Sequence, residues 1–200
     1  MKPLQFIWAV AMVLIVAAAC NNTNRRTASD SVEQAQGVND TSAMVNEQDA
    51  NFAVKAADAN LAEIELGKLA LEKATDQRIK DFAQRMVSDH QKANDELMTI
   101  ATSLHITLPP VISEDHVVKQ RKLRDKSGDA FEKGYMDIMV KDHDRAVSLF
   151  EDAASDARNT DLQAFAAKTL PTLKKHFEEA KMLRDSINPM DTTTIQRVMP

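Results

Sequence analysis

An eight-residue pattern occurs twice in the chain, and it restricts the fold more than any other feature of the sequence. Residues 86–93 and residues 139–146 both read Met-Val-x-Asp-His-x-x-Ala. Each copy lies inside a long stretch in which apolar side chains recur every three or four residues, which is the spacing of an amphipathic helix. Two helices that each carry an Asp-His pair near their apolar face are predicted to meet at that pair.

Four such helical stretches are present. They cover residues 46–74, 75–104, 129–158 and 161–187. The chain has only 4 glycines and 4% aromatic residues, a composition that favours helix over sheet. Amphipathic helices of this length pack as a bundle. The sequence therefore predicts an all-α fold over residues 47–188, a four-helix bundle with a long connection between helices 2 and 3, followed by a flexible tail over residues 189–200.

The connection between helices 2 and 3 sets their relative direction. Pro109 and Pro110 end the second helix, and Ser113 and Gly128 are placed to begin and close a short helix within the connection. Some 24 residues, partly helical, can run the length of a bundle. Helices 2 and 3 are therefore predicted to be parallel, with the two repeated segments side by side at equal height. Pro171 is expected to kink the fourth helix.

The N-terminal residues predict export and a lipid anchor. Residues 1–19 begin with a positive charge and continue as an apolar run that ends in small residues, as a signal peptide does. Cys20, the only cysteine, stands where this run stops and is predicted to be lipidated, as in a bacterial lipoprotein. Plain cleavage with a free Cys20 is the alternative. Residues 20–46 are polar and are predicted to form a disordered tether.

These observations also limit the partners of the protein. The predicted location is the bacterial cell envelope, lipid-anchored and either facing the periplasm or at the outer membrane, with the leaflet and the oligomeric state left open. The net charge of −5 argues against a nucleic-acid partner, because phosphate binding needs a basic surface. The membrane, through the lipid anchor, and another envelope protein are the partners to expect.

The candidate functional residues lie at one height in the predicted bundle. Glu63, His90, His143 and His176 each fall on an apolar stripe, about 12 to 16 residues from a helix end, or roughly 18 to 24 Å along the axis. Imidazole suits copper, zinc and iron, a neighbouring carboxylate can hold the ring, and thioethers favour copper. The candidate metal ligands are Glu63, His90, His143, His176, Asp89 and Asp142, with Met86 and Met139 added if the metal is copper.

A second interpretation of the same residues is structural. Histidines and acids on apolar faces can form a hydrogen-bonded polar layer that fixes the register of a bundle, and methionine on such a face usually fills core space. Tyr135 is placed to donate a hydrogen bond to this layer. His105 and His116 fall in or near the connection and are predicted to be exposed.

The chain resembles a known family at several separate motifs. They are Glu-Ile-Glu-Leu-Gly-Lys-Leu-Ala at residues 63–70, Phe-Ala at residues 82–83, Met-Val-Ser-Asp-His at residues 86–90, Tyr135 with Met-Val-Lys-Asp-His at residues 139–143, and Leu-Pro-Thr-Leu-Lys-Lys-His at residues 170–176. Together they are similar to the secreted domain-of-unknown-function family 4142, which is often labelled a putative outer-membrane protein. The resemblance covers residues 52–183 and implies a ferritin-like four-helix bundle without an established activity.

The histidines depart from the ligand pattern of di-iron ferritin-like proteins, in which Glu-x-x-His motifs supply the metal site. Val87, Val140 and Leu173 occupy the positions three before the three histidines, so the sequence does not predict a di-iron centre. No catalytic residue is predicted, and an enzymatic reaction is not favoured. Two functions remain: a tethered bundle that binds a transition metal through its His and acid cluster, or a non-catalytic envelope interaction module in which that cluster is structural only.

Overall fold

Six α-helices make up the part of the chain that the structure, a computed structural model, describes, which is residues 28–187. They are α1 (Ala28–Asp40), α2 (Glu47–Lys73), α3 (Gln77–Ser103), α4 (Glu114–Arg124), α5 (Gly128–Asp156) and α6 (Thr160–Ile187). The four long helices agree with the predicted stretches to within about two residues, and α4 lies in the long connection. The all-α prediction is thus confirmed. Within residues 28–187, no helix combines the length and the apolarity that crossing a membrane would require.

Local sequence signals set most of the helix ends. The side chain of Asn46 accepts a hydrogen bond from the Asp49 backbone N–H and caps α2, and Asp76 caps α3 in the same way through the Arg78 N–H. Ser113 precedes α4, but its side chain makes no capping bond. Gly128 takes a φ of +53° at the start of α5, a conformation that glycine adopts without strain. α6 runs through Pro171 without a break.

Two buried or nearly buried carboxylates hold the ends of the bundle together. At one end, Asp49 on α2 accepts hydrogen bonds from the backbone N–H groups of Arg158 and Asn159, in the turn between α5 and α6, at 2.9 and 3.0 Å. At the other end, Glu132 on α5 accepts from the backbone N–H groups of Thr75 and Asp76, in the turn between α2 and α3, at 2.7 and 2.8 Å. Each acid therefore satisfies two donors of a helix–helix turn.

The packing order places α3 and α5 diagonally across the bundle. α2 packs on α3 and α5 on α6, and these two hairpins join through α2 with α5 and through α3 with α6. Asp76 at the start of α3 lies beside Glu132 at the start of α5, so the two helices run parallel, as predicted. The prediction that the repeated segments lie side by side is wrong. Each segment pairs with its own hairpin partner, and the two meet only across the central axis.

The apolar core is divided into two clusters along the bundle. One contains the rings of Phe52, Phe150 and Phe165, which pack edge-to-face or tilted with centroids 5.2 to 6.4 Å apart. The other contains Phe82 and Tyr135, together with both methionines of the repeated pattern. The two histidines of the repeated pattern, His90 and His143, lie between these clusters.

The N-terminal part of the chain differs from the predicted tether. Residues 28–40 form helix α1, in which Ala35 and Asn39 are 2% and 3% exposed. The Asn39 amide donates to the Thr107 carbonyl oxygen at 3.0 Å and accepts from the Thr107 N–H at 2.8 Å, and Ser31 donates to the Val111 carbonyl oxygen. Small and polar residues at four-residue spacing replace the apolar stripe here, so a disordered tether over residues 20–46 is wrong for residues 28–40.

The predicted signal peptide, the lipidation of Cys20 and the tail over residues 189–200 all lie outside the described residues. They stay predictions from the sequence.

Candidate metal centre

Three imidazole rings meet on the axis of the bundle. His90 on α3, His143 on α5 and His176 on α6 are 4%, 1% and 2% exposed. Their ring centroids are 5.6 to 5.7 Å apart in all three pairs, and one nitrogen from each ring lies within 4.8 Å of the other two. The expectation that the three histidines point inward at one level is confirmed. We call these three residues the histidine layer.

Each ring of the histidine layer is held by one hydrogen bond to an oxygen atom. His143 Nδ1 donates to the Met139 carbonyl oxygen at 2.9 Å, one helical turn before it. His90 Nδ1 donates to Asn60 Oδ1 on α2 at 2.9 Å, and His176 Nε2 donates to Asp89 Oδ2 on α3 at 3.0 Å. Because these oxygens accept, the ring nitrogens that face them carry the protons, and this fixes the tautomer of each neutral ring.

The other nitrogen of each ring has no hydrogen-bond partner among the described residues. These atoms, His90 Nε2, His143 Nε2 and His176 Nδ1, are fully buried. Burial lowers the pKa of all three histidines from 6.5, and the neighbouring imidazoles add to the effect at His90 and His143. The pKa of His143 falls to about 4. The rings are therefore neutral near pH 7. Three unpaired lone pairs remain inside the bundle, and each such buried acceptor costs about 1 to 3 kcal/mol.

A single transition-metal ion matches this arrangement. Copper, zinc, iron and nickel accept neutral imidazole nitrogen as a ligand, and protein ligand histidines generally donate their second N–H to an oxygen atom. Zinc–nitrogen distances are about 2.0 to 2.1 Å. Because these nitrogens lie within 4.8 Å of one another, a cation at the centre of their triangle would lie at most about 2.8 Å from each, so the rings would need to move inward by less than about 1 Å to bind it.

Glu63 lies next to the histidine layer, as predicted, but is not one of its three converging groups. Its side chain is on α2, with Oε1 3.8 Å from His143 Nδ1. Its Oε2 is buried without a hydrogen-bond partner among the described residues. Burial, with a contribution from Asp142, raises the pKa of Glu63 well above 4.5, which favours the neutral acid. Glu63 also lines a small cavity together with His90 and His143.

The two aspartates of the repeated pattern have different surroundings. Asp89 holds His176, a histidine of a different helix from its own. Asp142 accepts two hydrogen bonds from Lys119 on α4, at 2.8 and 3.0 Å, and none from a ring of the histidine layer. The prediction therefore places Asp89 correctly beside a ring, whereas Asp142 lies in a second polar group outside the layer.

The two methionines are fully buried in the apolar cluster on one side of the histidine layer. Met139 reaches the layer through its backbone carbonyl group, which holds His143. Tyr135 is also fully buried in this cluster, but its hydroxyl group has no hydrogen-bond partner among the described residues, contrary to the predicted donor role. Burial and the nearby Glu63 raise the pKa of Tyr135 well above 10.

Sequence reasoning missed two residues of this region. Asn60, which holds His90, lies one helical turn before Glu63, and this spacing is the only signal in the sequence that could have identified it. His116 was predicted to be exposed, but its side chain is only 15% exposed and lies 3.6 Å from Asp58 and 4.0 Å from Asp142. The prediction failed because α4 packs against α2 and α5. His105 is exposed, as predicted.

The fold and the site together define a class: an all-α, ferritin-like bundle with a buried three-histidine layer in place of paired Glu-x-x-His motifs. The family described as "Domain of unknown function (DUF4142)" matches residues 34–183, and the chain belongs to this family. A solved structure described as a "DUF305 fragment from Deinococcus radiodurans" is similar in fold, with a TM-score of 0.62 at 12% identity, over 70% of this chain and 96% of that one. No curated protein matches this chain.

Proposed function

We propose that this protein binds one transition-metal ion between His90, His143 and His176. Two observations carry the proposal: one nitrogen of each ring lies within 4.8 Å of a nitrogen of the other two, and each ring has one buried nitrogen without a hydrogen-bond partner among the described residues. A metal ion would use all three lone pairs at once. The oxygens that hold the outer nitrogens would keep the rings in the orientation that binding needs.

The second observation also weighs against a layer that serves structure only. A structural polar layer lowers the free energy of the folded state when its donors and acceptors are paired, and a partly paired layer is worse than an apolar one. Here each ring makes one hydrogen bond and leaves its second nitrogen unpaired. The hydrogen bonds to Asn60, Met139 and Asp89 would be enough to fix the register of the helices. A structural role therefore explains the paired ring nitrogens but not the unpaired ones.

The donor set indicates which metals to test. Three neutral nitrogens with one protonated carboxyl group nearby suit copper or zinc, and divalent copper binds such ligands more tightly than the other first-row divalent ions. The histidine layer does not contain the four carboxylates of a di-iron bundle. Glu63 would become a fourth ligand only by releasing its proton, so its participation would make binding stronger as the pH rises.

The cellular setting that we propose is the bacterial envelope, with the bundle tethered to a membrane through a lipidated Cys20. Its support comes from the sequence, in which the apolar run of residues 4–19 ends at the single cysteine. A fatty-acid analogue should label the wild-type protein in cells and fail to label Cys20→Ser. Labelling of both would contradict the anchor and leave the metal site to be judged separately.

Calorimetric titration of the full-length chain in detergent tests the metal site. The protein should carry Cys20→Ser and no histidine tag, so that no added ligand competes for the ion. We expect copper(II) or zinc(II) to bind with one ion per chain, and His143→Gln to lose this binding. His105→Gln, which changes an exposed histidine, is the matched control. An absence of heat with both ions, or equal loss in both variants, would contradict the proposal.

A further inference from the structure

The small closed cavity beside the histidine layer brings together most of the unpaired polar atoms of the fold. Seven buried side-chain nitrogen and oxygen atoms have no hydrogen-bond partner among the described residues, and all but those of Tyr135 and His176 belong to residues that line this cavity. The five atoms are Asn60 Nδ2, Glu63 Oε2, His90 Nε2, His116 Nδ1 and His143 Nε2. Buried polar groups are normally paired, so such a concentration around one space indicates a polar ligand inside it.

The size of the cavity limits that ligand to a single small molecule. Its volume is about 20 Å³. A buried water molecule needs a space of about 10 to 15 Å³ and two to four polar partners. The cavity therefore has room for one water molecule and for nothing much larger.

The unpaired atoms match the hydrogen-bonding capacity of water. Asn60 Oδ1 already accepts from His90, so the amide nitrogen of Asn60 is left as a donor. Glu63 Oε2 can donate as a neutral acid or accept as a carboxylate, and a neutral imidazole nitrogen can accept. Water has two hydrogens to donate and two lone pairs that accept, so it satisfies both kinds of group. A cation would satisfy only the acceptors.

Three of these residues are brought to the cavity by two helices. Asn60 and Glu63 lie one helical turn apart on α2, so their side chains share a face, and they are 3% and 5% exposed. Helix α4 packs against α2 and carries His116 to the same cavity. Because His90 and His143 also line the cavity, a water molecule bound there lies next to two rings of the histidine layer.

The position of Glu63 favours contact with a metal ion through water rather than directly. Its Oε1 atom lies 3.8 Å from His143 Nδ1, the nitrogen that donates to the Met139 carbonyl oxygen. The lone pair that is free to bind an ion is on the other nitrogen of that ring, Nε2. Three imidazoles also leave one position of a four-coordinate ion open, and water commonly fills that position.

We infer that the cavity binds one water molecule, which bridges Asn60, Glu63 and His116 and becomes the fourth ligand of the metal ion. The second half of this inference rests on the proposed metal binding. With an ion in place, three imidazole nitrogens and one water oxygen complete the coordination. The two hydrogens of the water then face Glu63 and His116, which hold the water without binding the ion.

A crystal structure of the metal-free protein tests the water site without any metal. The full-length chain with Cys20→Ser, crystallised with a chelator, should show one ordered water molecule within hydrogen-bond distance of Asn60 Nδ2, Glu63 Oε2 and His116 Nδ1. A dry cavity overturns the inference.

Pulsed electron paramagnetic resonance of the copper(II) protein in ¹⁷O-enriched water tests the fourth ligand. The wild type should show coupling to one directly bound oxygen. Ala146→Val adds two methyl groups to a residue that lines the cavity and should remove this coupling while copper(II) stays bound. Ala154→Val makes the same change on the same helix, outside the cavity, and should keep the coupling. Ala59→Val, which fills the cavity from α2, is the second variant.

The outcomes separate the water from the proposed function. If copper(II) binds and the wild type shows no ¹⁷O coupling, the inference is overturned and the metal site stands. Coupling that persists in both Ala146→Val and Ala59→Val places the water elsewhere and also overturns the inference. If no copper(II) binds, the proposed function fails together with the fourth ligand, and the metal-free crystal structure still decides whether the cavity binds water.

Discussion

Two groups of histidine and carboxylate line one small cavity in the bundle, and they differ in their burial and in the charges around them. In the inner group, the histidine layer, the three rings are almost completely buried, and no lysine or arginine is hydrogen-bonded to them. In the outer group, His116 lies among Asp58, Asp142 and the Lys119 ammonium group. The outer charges are compensated by one another, whereas the inner rings stay neutral and keep free lone pairs.

The difference shows what determines whether a histidine can act as a metal ligand. Burial removes the solvent that would stabilise an imidazolium ion, and the nearby imidazoles add repulsion. The rings of the histidine layer therefore keep a lone pair near neutral pH. A histidine surrounded by carboxylates and a lysine already has charged neighbours, so an arriving cation must compete for the acids with a resident positive charge.

The largest effect that we expect separates the two groups by metal affinity. His143→Gln removes one of three converging nitrogens and should weaken copper(II) or zinc(II) binding at least 100-fold, which corresponds to about 2.7 kcal/mol or more. His116→Gln should change the affinity less than threefold. Titration calorimetry on both variants measures this, and similar losses would erase the distinction between the groups.

Acid should destabilise the metal-free protein through the histidine layer. The pKa of His143 falls from 6.5 to about 4 because the ring is buried, so between these values the unfolded chain holds the extra proton. The stability that this histidine contributes is complete above pH 6.5 and is lost as the pH falls to about 4, by about 3 kcal/mol in total.

Urea unfolding at several pH values, with a chelator present, measures this effect as the difference between wild type and His143→Gln. Glu63 acts in the opposite direction, because its raised pKa stabilises the fold below 4.5 and that contribution is lost as the pH rises. The difference between the two proteins isolates His143. An equal acid loss in both would show that this ring does not carry the effect.

The two aspartates of the repeated pattern give the next smaller effect. Asp89 holds the N–H of His176, and replacing an acceptor of this kind lowers metal affinity about 10- to 100-fold in other proteins. We expect a loss near tenfold for Asp89→Ala, because Asp89 is partly exposed and water can take its place. Asp142→Ala should leave the equilibrium affinity within threefold. A reversed order would move Asp142 into the metal site.

The smallest effect concerns the ion pair of the outer group. The Lys119 and Asp142 side chains are 28% and 10% exposed, and ion pairs near the surface contribute about 1 kcal/mol or less. Lys119→Met should therefore lower the free energy of unfolding by less than about 1 kcal/mol in a urea titration, with Lys122→Met as the control. A loss of several kcal/mol would mean that the pair is essential to the fold.

The sequence predicted much of the fold because local signals agree with one another. The three- and four-residue spacing of apolar side chains gave the four long helices, and Asn46 and Asp76 marked two of their starts. Helix α1 was missed because its buried face uses Asn39 and Ala35 rather than large apolar residues. Its hydrogen bonds join it to residues some 70 to 80 positions away, which no local pattern reveals.

The candidate site, like the fold, was predictable only in part from the sequence. The height and the inward direction of His90, His143 and His176 were predictable, because they follow from helical rise and from the position of each residue on its stripe. Which oxygen holds each ring was not, because two of the three hydrogen bonds, to Asn60 and to Asp89, cross between helices. Such contacts depend on the packing of whole elements.

The sequence by itself thus determined a helical bundle with three histidines at one level inside it, since periodicity and rise are properties of each helix alone. The tertiary structure alone decided that the two identical Asp-His pairs have different roles. α3 and α5 lie on opposite corners of the bundle, so α6 is placed beside Asp89, and α4 is placed beside Asp142. A side chain takes its partner from the element packed against it, and that neighbour is chosen by the fold as a whole.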